Sequence, residues 1–81
     1  MKLLNNEELQ KNSVDTINQY KVLQYLKSNL DIMAFKVYLF DRDTIKMIDK
    51  NEEVAYFKFD DNKKEIEFKE EVKEQDYEIS L

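Results

Sequence analysis

The chain has neither cysteine nor histidine among its 81 residues. Without cysteine there is no disulfide framework, no thiol nucleophile and no thiolate metal site. Without histidine the chain lacks the side chain that titrates between about pH 5 and 8, which is also the commonest transition-metal ligand. Glycine is missing too, so backbone positions that need a positive φ fall to Asn and Asp. No apolar run approaches the ~20 residues of a membrane span. Met1-Lys2-Leu3-Leu4 gives way at once to Asn5-Asn6-Glu7-Glu8, which is no signal-peptide core. These absences lead us to expect a soluble, cytoplasmic protein with no metal, no cofactor and no membrane contact.

What is present suffices for one small core. Hydrophobic residues make up 42% of the chain and include five Phe and five Tyr, which outweighs the 38% of charged residues in deciding against disorder. The length fits a single domain over residues 1–81. A domain this small buries only about 60% of its unfolded surface, so self-association is a natural source of further burial. The net charge of −5 is unevenly spread. Residues 1–40 hold four acids and five lysines, whereas residues 41–81 hold fourteen acids and eight bases. Toward the end Glu70, Glu71, Glu74, Asp76 and Glu78 face only Lys73. Such a field attracts cationic surfaces and repels phosphate and anionic lipid. The Asn/Lys/Ile/Asp-heavy, acidic composition resembles that of accessory proteins of AT-rich phages and mobile elements, a likeness that covers no particular residues.

Residues 6–29 read as helical, either one helix or a pair. Asn5 or Asn6 before Glu7-Glu8 has the form of an N-terminal cap, and Asn12-Ser13 offers a second start with Asp15 and Thr16 just inside. Val14, Ile17, Tyr20, Leu23, Leu26 and Leu30 recur every three or four residues as one apolar stripe, widened by Val22 and Tyr25. Ser28-Asn29, or Asn29 alone, is the expected stop.

From Ile32 the apolar period changes to two. Ile32–Asp41, Thr44–Ile48, Glu53–Phe59 and Glu65–Lys69 are expected strands, with a further strand over Asp76–Leu81. The connections Asp41-Arg42-Asp43, Asp49-Lys50-Asn51-Glu52 and Asp60-Asp61-Asn62-Lys63 are short, which forces antiparallel neighbours and a meander over residues 32–81. Glu70–Gln75 reads as a charged connection. Alternation puts Met33, Phe35, Val37, Leu39, Ile45, Met47, Ala55, Phe57, Phe59, Ile66, Phe68, Tyr77, Ile79 and Leu81 on one face, the face a helix covers. The other face takes Lys36, Tyr38, Phe40, Lys46, Ile48, Val54, Tyr56 and Lys58 from the first strands, then Glu65, Glu67, Lys69, Asp76, Glu78 and Ser80. One helical layer cannot cover both faces, so the second is expected to be open, half aromatic-and-lysine and half acidic. The expected class is α+β: an N-terminal helix, or helix pair, packed on one face of a four- to five-stranded antiparallel meander.

Catalysis has little support. Ser13, Thr16, Ser28, Thr44 and Ser80 have no histidine to activate them. The carboxylate pairs Asp41/Asp43 and Asp60/Asp61 sit where turns need Asp for local reasons. Asp49, Asn51 and Glu53 alternate as in an EF-hand, but Val54 stands where that loop needs glycine, and both flanks read as strands. The sequence therefore points to a non-catalytic binding protein. Its expected partner is a protein with a basic surface, in the manner of an inhibitor that mimics DNA at a host protein's nucleic-acid site. Tyr38, Phe40 and Tyr56 are the candidate anchors, and Glu65, Glu67, Glu70, Glu71, Glu74, Asp76 and Glu78 the candidate field. The alternatives are a homodimer through the open face and, third, single-strand nucleic-acid binding by Lys36, Tyr38, Tyr56 and Lys58. The net charge weighs against nucleic acid.

Overall fold

A computed structural model describes residues 1–71. The chain forms β1 (Lys2–Leu4), α1 (Asn6–Lys11), α2 (Ile17–Asn29), a 3-10 turn (Ile32–Ala34), β2 (Lys36–Asp41), β3 (Thr44–Ile48), β4 (Val54–Asp60) and β5 (Glu65–Glu70). The strands make one sheet in the order β1-β2-β3-β4-β5, every neighbouring pair antiparallel. The α+β class and the meander are as expected. The first strand is not: Lys2–Leu4 pairs with β2 and supplies the fifth strand. The strand expected over Asp76–Leu81, with Tyr77, Ile79 and Leu81, lies outside the described residues.

The helical segment is a pair, and both starts are capping boxes. Asn5 Oδ1 accepts from the Glu8 N–H at 2.8 Å, and Glu8 Oε1 accepts from the Asn5 N–H at 3.0 Å. Glu8 also meets Lys2 Nζ at 3.0 Å. The main-chain N–H of Asn5, with Lys2 behind it, holds the Glu8 carboxyl below the usual range. Asn12 ends α1 rather than starting α2: it adopts the left-handed conformation at φ 57° and its N–H closes the last turn. Its Oδ1 accepts from Gln24 Nε2 at 2.6 Å and Lys27 Nζ at 2.9 Å, so the residue that ends the first helix also ties it to the second. α2 starts at Thr16, whose hydroxyl accepts from the Gln19 N–H while Gln19 Oε1 accepts from the Thr16 N–H.

The face α2 turns to the sheet is Gln19, Val22, Leu23 and Leu26. The apolar stripe predicted Ile17 and Tyr20 there, but Ile17 is 74% exposed and Tyr20 is exposed as well. Gln19 causes the rotation. Its Oε1 caps the helix start while Nε2 donates to the Asp41 carbonyl at 2.6 Å. Seating an amide against the end of β2 turns Ile17 outward. Beneath the helix, Val37, Leu39, Ile45, Met47 and Phe59 form the buried sheet face, joined by Leu4, Leu9 and Ile32. Ile32 and Met33 were expected to open a strand. They lie instead in the 3-10 turn that leads α2 into β2, where Ile32 is buried and Met33 exposed.

Asp residues open all three hairpin turns. Asp41 Oδ1 accepts from the Asp43 N–H, Asp49 Oδ1 from Asn51 and Glu53, and Asp60 Oδ1 from Asn62 and Lys63. The N–H groups of Lys63 and Asn62 hold the Asp60 carboxyl below its ordinary value. Asn12 takes a positive φ as expected, but within the hairpin turns the positive φ values fall on Glu52 (65°) and Lys64 (56°), not on Asp or Asn. The Asp residues stand at the start of these turns, Asp49 three residues before Glu52 and Asp60 four before Lys64, where their carboxylates gather the N–H groups.

Candidate functional site

Among the described residues the helices cover one face of the sheet and leave the other open. On the open face, cross-strand partners form the row Leu3, Tyr38, Lys46, Tyr56, Lys69. Lys36, Ile48 and Val54 make a second row, and Thr44, Lys58 and Glu67 a third. Phe40 belongs to this face as well, its ring meeting that of Tyr56 edge-on at 5.0 Å. Lys46 lies between the tyrosines, its Nζ 5.9 Å from each ring centroid, within the range of cation–π attraction. Leu3 is 51% and Phe40 45% exposed. A depression of about 400 Å³ is lined by Phe40, Thr44, Tyr56, Lys58, Glu67 and Lys69.

The structure thus brings the three expected anchors, Tyr38, Phe40 and Tyr56, onto one patch. Leu3 and Lys46 complete it. Lys46 could be read from alternation, whereas Leu3 could not, because β1 is too short to show a period.

The carboxylates are arranged less simply. Glu65 and Glu67 share the open face, with Glu67 opposite Lys58 and 3.4 Å from Lys63 Nζ. Glu70 is the last residue of β5, opposite Ala55 on the helix side. Glu71 returns to the open side: its N–H donates to the Val54 carbonyl at 3.0 Å, and its Oε1 accepts from the Tyr56 hydroxyl at 2.9 Å. That bond favours the protonated phenol and raises the Tyr56 pKa above its ordinary value. Glu74, Asp76 and Glu78 lie outside the described residues. Lysines therefore surround the aromatic anchors, and the carboxylates of β5 divide between two faces.

Acids also collect at the end of the sheet where two turns meet α2. Asn18 Nδ2 donates to Asp43 at 2.7 Å and to Asp61 at 3.0 Å. Asp15, Asp43 and Asp61 line a shallow groove there with Arg42. Asn18 thereby ties both turns to the helix start. Among the described residues no group of three or more acids is disposed to hold a metal ion, and no helix is long and apolar enough to cross a membrane.

No protein-family model, curated protein or solved structure matches this chain.

Proposed function

We propose that this chain is a non-catalytic protein-binding module that docks through the open face of its sheet. The partner lays apolar groups against Tyr38, Phe40, Tyr56 and Leu3 and directs carboxylates at Lys46, Lys58 and Lys69. The observation that carries this reading is Lys46 held between two tyrosines on an uncovered sheet face. Clustered tyrosines are characteristic of interface hot spots, and a lysine held over their rings is already ordered for a partner's carboxylate. The cation also confers charge preference, because a facing lysine or arginine would meet repulsion there.

The test is partner purification from the native host, then reconstitution with the identified partner. Lys46→Glu should weaken the complex at least about tenfold, and a combined Tyr38→Ala/Tyr56→Ala change should abolish it. Circular dichroism should show both variants folded. Full-strength binding by folded Lys46→Glu protein would overturn this reading.

A second reading has its own support in the excess of acids over bases in residues 41–81 and the meeting of Asp15, Asp43 and Asp61 at one end. In it the partner presents a basic, nucleic-acid-binding surface, and the chain acts as a phage-type inhibitor that mimics DNA. That version needs the carboxylates rather than Lys46, and complex formation should fall steeply as salt rises from ~50 to ~500 mM.

A further inference from the structure

β5 is the edge of the sheet among the described residues. Antiparallel ladders alternate between residues whose main-chain groups face the neighbour and residues whose groups face away. The Glu71 N–H donates to the Val54 carbonyl, so Glu65, Glu67 and Lys69 also turn their main chains toward β4. Ile66, Phe68 and Glu70 then point their N–H and C=O groups outward. The same margin carries Phe68, 59% exposed although it lies on the helix side. Its ring is 5.1 Å from that of Phe57, which in turn is 6.4 Å from that of Tyr25. An aromatic run that starts on α2 thus ends at the sheet margin, where no other described residue lies beyond Phe68 in the sheet.

We propose that a second copy of this chain occupies this margin, β5 pairing antiparallel with β5 of its partner around a two-fold axis at Phe68. Edge strands ordinarily use charge to keep other strands away. Here the order of signs is self-complementary. With Phe68 opposite the partner's Phe68, the outward groups of Ile66 and Glu70 meet each other's counterparts. On the open face Glu67 then stands opposite the partner's Lys69, and Lys69 opposite the partner's Glu67. Only at the strand ends do like charges meet, Glu65 opposite the partner's Glu71. A slip of two residues one way puts Lys69 on the partner's Lys69 and Glu67 on the partner's Glu71. The slip the other way keeps two opposite-sign pairs, Glu65 with the partner's Lys69, but sets Glu67 on the partner's Glu67 at the axis and takes Phe68 off the partner's Phe68. A slip of one residue would point inward-bonded groups at outward ones. The two-fold axis runs perpendicular to the sheet, so both helical layers lie on one side. The aromatic runs join through Phe68, and the two open faces become continuous. This contact involves the edge of the sheet, whereas the docking reading involves its open face, and either can fail without the other.

The test is sedimentation equilibrium of the full chain at about 10–500 μM, a range suited to small interfaces. A reversible monomer–dimer equilibrium is expected. Glu67→Lys alone and Lys69→Glu alone each place like charges opposite one another twice, and each should raise the dimer Kd about tenfold or more. The double variant Glu67→Lys/Lys69→Glu restores opposite signs and should return Kd to within about threefold of the starting value. Circular dichroism should show all three variants folded like the parent. A chain that stays monomeric across this range, as it would if its own residues 72–81 covered the edge, would overturn the proposal. So would a dimer indifferent to both single changes, or one that the double change fails to restore.

Discussion

The side-chain amide of Gln19 donates to the main-chain carbonyl of Asp41 at 2.6 Å. With this bond a residue buried at the start of α2 grips the end of β2, while its Oε1 accepts from the main chains of Asp15 and Thr16. Gln19→Leu keeps the volume and loses all three bonds, leaving part-buried main-chain groups without their partner. We expect a loss of about 1–3 kcal/mol, measured by urea unfolding. Tyr20→Ala, on the exposed flank of the same helix, should cost far less.

Glu52 and Lys64 hold left-handed backbone in a chain without glycine. That conformation is unfavourable for side chains with a Cβ, and glycine relieves it at some entropic cost. Glu52→Gly and Lys64→Gly should each stabilise the fold by about 0.5–1 kcal/mol. Asn12→Gly should not. Asn tolerates this conformation, and Asn12 also accepts from Gln24 and Lys27, so thermal unfolding should move down rather than up.

The Tyr56 phenol should titrate above its ordinary value near 10.0, because Glu71 accepts its proton in a hydrogen bond. The raised pKa gives the sign of the linkage. The stabilising contribution is complete below the usual tyrosine value and is lost as pH rises through the raised one. Glu71→Gln removes the anion and should bring the titration back down. Carbon-13 NMR of labelled tyrosine separates Tyr56 from the other four.

At the acid end, Glu8 and Asp60 are both held below the usual carboxylate range, chiefly by main-chain N–H groups. Their contributions are present above the ordinary carboxylate values and fade as pH falls through the lowered ones. Asp60→Asn should therefore flatten the acid limb of the stability curve, measured by unfolding at a series of pH values.

The sheet was legible because alternation and Asp-led turns agree from Val37 to Lys69, and the convergence of Tyr38, Phe40 and Tyr56 follows from the same alternation. The rotation of α2 was not legible. An apolar stripe shows which residues prefer burial, but a capping amide bonded to a strand end decided which ones achieved it. The Thr16–Gln19 spacing is that of a capping box and could have located the helix start. The face of Glu70 turned on a strand boundary: ending β5 one residue earlier leaves it in a loop, and one more residue puts it on the helix side. β1 was hidden because its pairing depends wholly on β2, across the entire helical segment.

That last arrangement bears on how the molecule assembles and opens. Lys2–Leu4 finds its place only against residues 37–39, so its docking carries the entropic cost of a long loop closure. Its amides should exchange with deuterium before those of β3, which has neighbours on both sides. Detachment of this short segment would strip the outer margin of β2, replacing a three-residue edge with a longer backbone template at the rim opposite β5.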